Sequence, residues 1–279
     1  MERIYEIAGV RLRVVAPEDR FCPEDRILKR FLVSGGYDHW LEFLVVDRLD
    51  LPEGDLCYRD AGKWVFRSGE RQLRYEGAVA QDLEGAYLRI DRLGQRSMVQ
   101  VRQDAIPYGI TSKLIQTAME AEHLIVHSDG FLLHASLVEH GGKGILFTAP
   151  SGTGKSTQAE LWRKHRGARV LNGDRAAVRG AAVWSTPFCG SSQIAEKGTV
   201  PVAAIVYLSQ AAEDHMTRLS GSAAFRRVWE GCSVNTWDEQ DLQRCADAVS
   251  RTVSVVPVYH LACTPTLSAV ELLEKEVGL

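Results

Sequence analysis

Apolar and polar positions alternate with a period close to two along the first hundred or so residues. An apolar-rich segment at 4–15 and a more continuous apolar run at 40–46 come first, and the alternation is clearest in the short runs at 63–67, 72–76, 86–91 and 97–102. Turn residues such as Pro52-Glu-Gly-Asp55 lie between the runs, and period two is typical of a strand with one buried face. Residues 1–105 are therefore predicted to form an antiparallel, strand-rich region whose other face, with its arginines, is solvated.

The spacing of apolar positions changes to three and four from Thr111 onward. This spacing predicts a helix over 111–127 that is capped by Thr111 and ends near Gly130. A strand over 131–139, a tight turn, an apolar run at 145–147 and a helix over 155–166 follow, then strands at 168–172, 200–208 and 256–262, a hairpin at 176–185, and helices at 222–229, 239–253 and 267–277. The predicted fold class is thus α/β, with an N-terminal antiparallel strand-rich region at 1–105 joined to a second domain at 106–279.

The stretch between the apolar run and the second helix carries a phosphate-loop pattern. Residues 149–156 match G-x-x-x-x-G-K-[ST] at Gly154, Lys155 and Ser156, while Ala149 stands in place of the first glycine. Backbone N–H groups at a helix N-terminus form a cradle for phosphate oxygens, so the pattern predicts a nucleotide site. We expect Lys155 to reach the β and γ phosphates of ATP and the Ser156 hydroxyl to bind Mg²⁺. The predicted nucleotide-binding residues are Ser151, Gly152, Thr153, Gly154, Lys155, Ser156 and Thr157.

Phosphoryl transfer also needs an acid near the metal and a base for the acceptor hydroxyl. The buried strand at 200–208 ends without an acid, whereas Asp174 follows the first strand after the loop helix. His134 interrupts the apolar strand that pairs with the loop strand. On position alone, Asp174 fits a catalytic residue or an ordinary turn residue, and His134 fits a phosphate contact or a core histidine.

Three segments together resemble the catalytic domain of HPr kinase/phosphorylase and its relatives. They are Leu133-His134-Ala135, the loop ending in Ser151-Gly-Thr-Gly-Lys-Ser156, and Val170-Leu-Asn-Gly-Asp174-Arg175, and the clear part of the match spans residues 132–178. The resemblance implies an HPr-kinase-like phosphate-loop core with flanking helices for the second domain. It also implies that Asp174 accepts the proton of the hydroxyl and binds Mg²⁺ with Ser156, while Lys155 and His134 stabilise the phosphates.

The sequence departs from that family in two places. Gly173 stands where the family has the first of two adjacent aspartates, and the downstream glutamate that serves as a metal ligand has no counterpart, Glu196 being the nearest acid. Residues 186–192 and 259–265 are instead similar to segments of shorter HPr-kinase-like proteins of peptide-modification clusters, including lasso peptide kinases. This similarity implies that the acceptor is a hydroxyl of a peptide or small molecule. The loop at 186–192, which contains Cys189, is interpreted as acceptor-binding or structural.

The composition narrows the range of partners and compartments. A formal charge of −3 gives no basic excess, which argues against nucleic acid, and no run of 18 apolar residues suggests a membrane span. Residues 1–6 lack signal-peptide features, and the six cysteines include no C-x-x-C pair. We therefore expect reduced thiols, no structural zinc site and a cytoplasmic location. The oligomeric state stays open.

The sequence as a whole predicts an ATP- and Mg²⁺-dependent kinase that phosphorylates a hydroxyl, with Ser or Thr of a peptide or protein as the favoured acceptor. Two alternatives remain open. One is a nucleotide-dependent module that binds a peptide without transferring phosphate, and the strand-rich first region would suit such a scaffold. The other is a small-molecule kinase or carboxykinase-like enzyme, although the sequence offers no constellation for a second metal or a dicarboxylic acid.

Overall fold

The computed structural model describes residues 1–22, 25–78 and 82–279. The chain forms two compact units, Met1–Glu120 and Ala121–Leu279. The predicted α/β class is confirmed, with a mixed sheet in each unit. The predicted domain boundary between residues 105 and 106 lies before the end of the first unit, and the catalytic assignment of 106–279 stays a prediction.

The first unit is built on one mixed sheet. Its elements are β1 (Glu2–Ile7), β2 (Val10–Val15), β3 (Leu32–Val33), β4 (His39–Val46), β5 (Asp55–Arg59), β6 (Lys63–Ser68), β7 (Arg71–Glu76), β8 (Leu88–Leu93), β9 (Arg96–Arg102) and α1 (Ser112–Ala118). The strands lie in the order β3-β1-β2-β4-β9-β8-β7-β6-β5. Strands β5 to β9 form an antiparallel meander, whereas β4 lies parallel to both β2 and β9. The apolar run at 4–15 is a hairpin, because Ala8 and Gly9 take φ angles of +52° and +80° in a two-residue turn.

A buried ionic network replaces the solvated face that was predicted for the meander. Arg74 is 4% exposed, and its Nη1 lies 3.7 Å from Oε1 of Glu120, which is 3% exposed. Nε of Arg92 lies 3.4 Å from the other oxygen of Glu120, and Arg89 and Asp91 form a second buried pair at 3.2 Å. Alternation shows which residues share a face but not whether that face is covered, so the prediction was wrong for these residues. Arg74 and Arg89 can be buried because each is paired with a carboxylate.

The second unit carries the predicted phosphate loop. Its strands are β10 (Phe131–His140), β11 (Lys143–Thr148), β12 (Arg169–Asn172), β13 (Arg175–Arg179), β14 (Ala182–Ser185), β15 (Thr199–Gln210), β16 (His215–Leu219), β17 (Cys232–Ser233) and β18 (Val258–Cys263). Its helices are α2 (Ala121–Val126), α3 (Lys155–Arg166), α4 (Gly221–Trp229), α5 (Glu239–Val255) and α6 (Leu267–Val277). Most bounds agree with the predicted elements, but β16 and β17 were not predicted.

The helix predicted over 111–127 is split into α1 and α2. Thr111 caps α1 as expected, because its hydroxyl accepts a hydrogen bond from the N–H of Leu114 at 3.3 Å. Glu120 then takes a left-handed conformation with φ of +48°, which ends the helical hydrogen-bond pattern. No helix in the described part of the chain is both long enough and apolar enough to span a membrane.

Strand β10 lies between two strands that run in the opposite direction. β11 pairs with one edge of β10, with Thr148 opposite Ala135, and β12 pairs with the other edge, with Asn172 opposite Leu137. The carboxyl ends of β11 and β12 therefore lie on either side of the middle of β10. β15 lies parallel to β11 and β18 lies parallel to β15, so these strands end at the same edge of the sheet.

Helices cover both faces of this sheet. On one face, α3 and α6 pack against β11, β15 and β18 in a cluster that includes the fully buried Trp162. On the other face, α4 and α5 pack against β10 and β13. Burial of apolar surface is the main stabilising term for such a layered arrangement. It fixes the strands whose ends carry the candidate site.

Glu120→Ala should lower the free energy of unfolding by about 1–3 kcal/mol, because it removes the carboxylate that the buried Arg74 shares with the partly buried Arg92, while Arg74 keeps its ion pair with Glu76. Urea unfolding followed by fluorescence measures the change. Glu42→Ala is the matched control: it removes the partner of the exposed Arg96 in the same sheet and should have little effect. A loss for Glu120→Ala no larger than that for Glu42→Ala would contradict the role given to the network.

Candidate active site

Two glycines shape the loop that links β11 to α3. Gly152 and Gly154 take φ angles of +78° and +122°, and at both positions the space that a Cβ would fill is open. Gly154 is also the N-cap of α3 and supplies no side-chain cap, so first-turn N–H groups are left for a ligand. Ser156 and Thr157 are exposed in the same turn. The loop thus has the shape and the donors that phosphate oxygens require.

The side chain of Lys155 folds back into this loop. Lys155 is 8% exposed, and its Nζ donates hydrogen bonds to the carbonyl oxygens of Ala149, at 2.9 Å, and Pro150, at 3.3 Å. Burial lowers the pKa of Lys155, and the charge of Asp174 opposes this shift. The ammonium group is therefore held by neutral acceptors at a position from which it interacts with Asp174.

The strand arrangement brings Asp174 next to His134. Asp174 lies between β12 and β13, and β13 continues along β10 with Arg175 opposite His134. The carbonyl oxygen of Asp174 accepts a hydrogen bond from the N–H of Ala135 at 2.8 Å. Nε2 of His134 lies 3.2 Å from Oδ1 of Asp174. The structure thus places two of the residues singled out in the sequence within hydrogen-bonding distance, with Lys155 close enough to influence both electrostatically.

Burial and the nearby charge of Lys155 favour the neutral form of the His134 imidazole. Burial and the positive charge of Lys155 lower the pKa of His134, and the carboxylate of Asp174 opposes them only in part. Because the ordinary pKa of histidine is about 6.5, the lowered pKa leaves the ring uncharged at pH 7. A neutral imidazole can orient the Asp174 carboxylate without cancelling its negative charge.

Asn172 holds the turn that presents Asp174, and the sequence analysis did not identify it. Asn172 is fully buried, and its Oδ1 accepts hydrogen bonds from the N–H groups of Asp174 and Arg175, both at 2.8 Å. Its Nδ2 donates to the carbonyl oxygen of Thr186 at 2.8 Å. An asparagine two residues before a candidate acid is a pattern that the sequence offers, since Asn and Asp commonly fix such turns.

The loop at 186–193 lies directly on Asp174. A Cβ at Gly190, where φ is +53°, would come within 2.8 Å of Cγ of Asp174. The carbonyl oxygen of Phe188 accepts a hydrogen bond from the N–H of Arg175 at 3.2 Å. A Cβ at Gly173 would overlap the side chain of Ser192. Gly173 therefore occupies a position where this loop leaves no room for a side chain.

The side chain of Glu196 forms an ion pair with Arg169. Oε2 of Glu196 accepts a hydrogen bond from Nη2 of Arg169 at 2.9 Å, so Glu196, the nearest acid to the place of the absent metal-ligand glutamate, lies in a surface ion pair.

A cleft opens beside the two glycines of the phosphate loop. It has a volume of about 450 Å³ and is lined by Gly152, Thr153, Gly154, Thr157, Gln158, Leu208, Gln210, Ala211, Cys263, Thr264 and Pro265. It follows the carboxyl ends of β15 and β18, where ligands of α/β sheets bind.

The fold is that of a mixed α/β protein in which a glycine-containing loop, a lysine, a histidine and an aspartate meet at one edge of a sheet. The chain belongs to the family described as SynChlorMet cassette protein ScmC, which matches residues 110–268, more than half of its length. No curated protein matches the chain. The solved structure of the Hpr(Ser) kinase/phosphatase from Coxiella burnetii is similar at 12% identity and a TM-score of 0.24, over 52% of this chain and 92% of that one. Similarity at this level assigns no activity, and the likeness to lasso peptide kinases stays a prediction.

Gly173→Ala should lower the free energy of unfolding by about 1–3 kcal/mol, because its methyl group would overlap Ser192. Ser192→Gly removes the overlapping atoms, so the double variant should recover part of that loss. Urea unfolding of the two single variants and the double variant measures the coupling, which should be about 0.5–3 kcal/mol. Gly198→Ala, where the nearest atom would lie 3.8 Å away, is the control. Additive effects at residues 173 and 192 would show that the loop does not lie as described.

The stability contributed by His134 should fall as the solution becomes acidic. Its folded-state pKa is lowered, so the unfolded chain binds the proton first as the pH falls through about 6.5, and stability is lost from there to the folded pKa. In His134→Gln this part of the loss should disappear. Urea unfolding of both proteins at intervals between about pH 8 and 5 measures the difference around the histidine pKa. Parallel pH profiles for the two proteins would contradict the lowered pKa.

Proposed function

We propose that the chain is an ATP- and Mg²⁺-dependent phosphotransferase that phosphorylates a hydroxyl, with Ser or Thr of a peptide as the favoured acceptor. The observation that carries the proposal is the meeting of Asp174, His134 and Lys155 at the phosphate loop. A loop that only bound phosphate would not need a carboxylate with a neutral imidazole beside it. A carboxylate in that position repels phosphate, and its use is explained if it accepts a proton during transfer.

Asp174 and Lys155 have complementary roles in the proposed reaction. The acceptor hydroxyl gives its proton to an oxygen of Asp174 as its own oxygen bonds to the γ phosphorus, and the bond to the β-phosphate oxygen breaks to release ADP. Nζ of Lys155 exchanges the carbonyl oxygens of Ala149 and Pro150 for phosphate oxygens and offsets the charge that develops there. His134 orients the Asp174 carboxylate through Nε2, 3.2 Å away.

The residues at the start of α3 fit a magnesium-bound nucleotide. Ser156 exposes its hydroxyl in the first helical turn, and Asp174 supplies a carboxylate oxygen, and both are ligand types that Mg²⁺ prefers. When bound, Mg²⁺ would neutralise phosphate charge. The backbone N–H groups of residues 152–156 and the side chain of Thr157 would hold the phosphates, and the adjoining cleft would receive the nucleoside.

The acceptor is proposed to approach Asp174 beside the loop at 186–193. This loop contacts the carboxylate through Gly190, so a bound hydroxyl must come close to it. The net charge of −3 and the absence of a basic excess in the sequence disfavour a nucleic-acid acceptor. A phosphotransferase of this kind works where ATP is present, so the proposal includes a cytoplasmic location.

Asp174→Asn should retain ATP binding, which depends mainly on the phosphate loop and Lys155, but transfer phosphate about 10²–10⁴-fold more slowly, because an amide cannot take the proton. Labelled ATP, Mg²⁺ and candidate peptides, analysed by mass spectrometry for one added phosphate on Ser or Thr, measure transfer, and fluorescent nucleotide titration measures binding. Lys155→Met should weaken both. Asp247→Asn is the matched control, since Asp247 is exposed on α5 and bonded to Gln243.

Two outcomes would contradict this assignment in different ways. Undiminished transfer by Asp174→Asn would remove Asp174 from the role of base while leaving a kinase. Peptide that binds in the presence of ATP but is never labelled, with any of the peptides tested, would favour the nucleotide-dependent binding module instead.

A further inference from the structure

Two histidines and an aspartate converge at a second place in the same unit. His123 lies on α2 and His127 follows one helical turn later, so both rings face the same side. Nδ1 of His123 lies 2.9 Å from Oδ1 of Asp241, and Nε2 of His127 lies 3.1 Å from the same oxygen. The ring centroids are 4.0 Å apart. All three ligand atoms fall within 4.8 Å of one another.

Asp241 is prepared to act as a buried anion. It has no exposed surface and lies in the first turn of α5, where Asp238 caps the helix. Nδ2 of Asn235 donates a hydrogen bond to Oδ2 of Asp241 at 2.8 Å, which fixes the carboxylate and leaves Oδ1 for the histidines. Although burial alone would raise the pKa of Asp241, the bonds to His123 and His127 hold it well below its usual range.

We propose that His123, His127 and Asp241 bind a divalent transition-metal ion, with Zn²⁺ as the best fit. Imidazole nitrogens and one carboxylate oxygen form a ligand set that suits Zn²⁺. Tetrahedral ligands about 2.0–2.1 Å from a zinc ion lie about 3.3 Å from each other, so the observed separations of 2.9 and 3.1 Å need only a small expansion. Asn235 would be the outer-shell hydrogen-bond donor that orients the ligating carboxylate of Asp241.

A fourth ligand position is accessible from solvent. The side chain of His127 is 28% exposed, whereas those of His123 and Asp241 are 9% and 0% exposed. A water molecule can therefore complete the coordination on the side of His127. The competing arrangement contains no metal, and both rings then donate N–H groups to Oδ1. The two arrangements differ in whether the cluster responds to added metal.

The metal would also tie α2 to the candidate active site. Oε1 of Glu122, the neighbour of His123 on α2, lies 3.2 Å from Nη1 of Arg175. Arg175 in turn follows Asp174 directly, with its Nε 3.8 Å from Oδ2 of that carboxylate. An ion that joins α2 to α5 would fix Glu122 and, through it, the guanidinium beside Asp174. Binding of the metal itself does not depend on the proposed kinase function.

Titration of the metal-free full-length protein with Co²⁺ and Zn²⁺ tests the proposal. We expect one equivalent of Co²⁺ to give the visible absorption of a tetrahedral N/O site, without the strong sulfur charge-transfer bands that cysteine ligands produce, and Zn²⁺ to displace it. His127→Gln should lower the affinity for the metal at least about tenfold. Loss of an outer-shell partner alone lowers metal affinity by about 10–100-fold, and loss of a direct ligand should cost no less. His165→Gln, on the last turn of α3, should bind as the unchanged protein does.

Thermal unfolding supplies the second readout. Zn²⁺ should raise the unfolding temperature of the unchanged protein relative to EDTA, because it binds the folded state, and should raise that of His127→Gln much less. Unfolding of the variant in EDTA shows whether it folds; if it does not, the response of the unchanged protein decides. The proposal is overturned if that protein binds neither ion, if sulfur bands dominate, or if a folded His127→Gln binds with unchanged affinity.

Discussion

The candidate active site depends on the position of one strand, β10, between two strands that run against it. Because β11 and β12 flank β10, the residues that follow each of them emerge on either side of its first half. Lys155 comes from one side, Asp174 from the other, and His134 lies on β10 itself. The pairing is fixed by backbone hydrogen bonds and by apolar contacts on both faces. The register of the sheet thus fixes the relative positions of functional side chains that come from three separate stretches of sequence.

The protonation states of Lys155, His134 and Asp174 also depend on one another. The buried ammonium group of Lys155 and the partly buried imidazole of His134 each lose hydration, and burial lowers the pKa of both. The carboxylate of Asp174 offsets part of this cost for each of them. Its own position is secured by the amide of Asn172 and by the loop at 186–193. The cluster is therefore interdependent: removal of one charge changes the protonation of the others.

The sequence predicted the local features well because they depend on nearby residues. The apolar period, the Thr111 cap and the glycine at 167, which ends α3 with φ of +63°, each act within a few positions. Features made by distant residues were missed. Alternation could not reveal that Glu120 covers Arg74, and nothing near Gly173 indicates that Ser192 fills the space beside it. His123 and Asp241 are separated by 118 positions, so only the folded chain brings them together.

Lys155 already forms hydrogen bonds inside its own loop, and any ligand that binds its ammonium group must replace them. The ammonium group already has two carbonyl acceptors, at 2.9 and 3.3 Å. A ligand that offers only another neutral oxygen would therefore gain no binding energy by replacing one of them. A ligand with several negative oxygens can displace those carbonyls, because a full negative charge attracts a poorly hydrated ammonium group more strongly than a neutral oxygen does. The loop would thus select by charge before shape is considered. It also enters the encounter with its lysine already ordered, so little side-chain entropy remains to be lost.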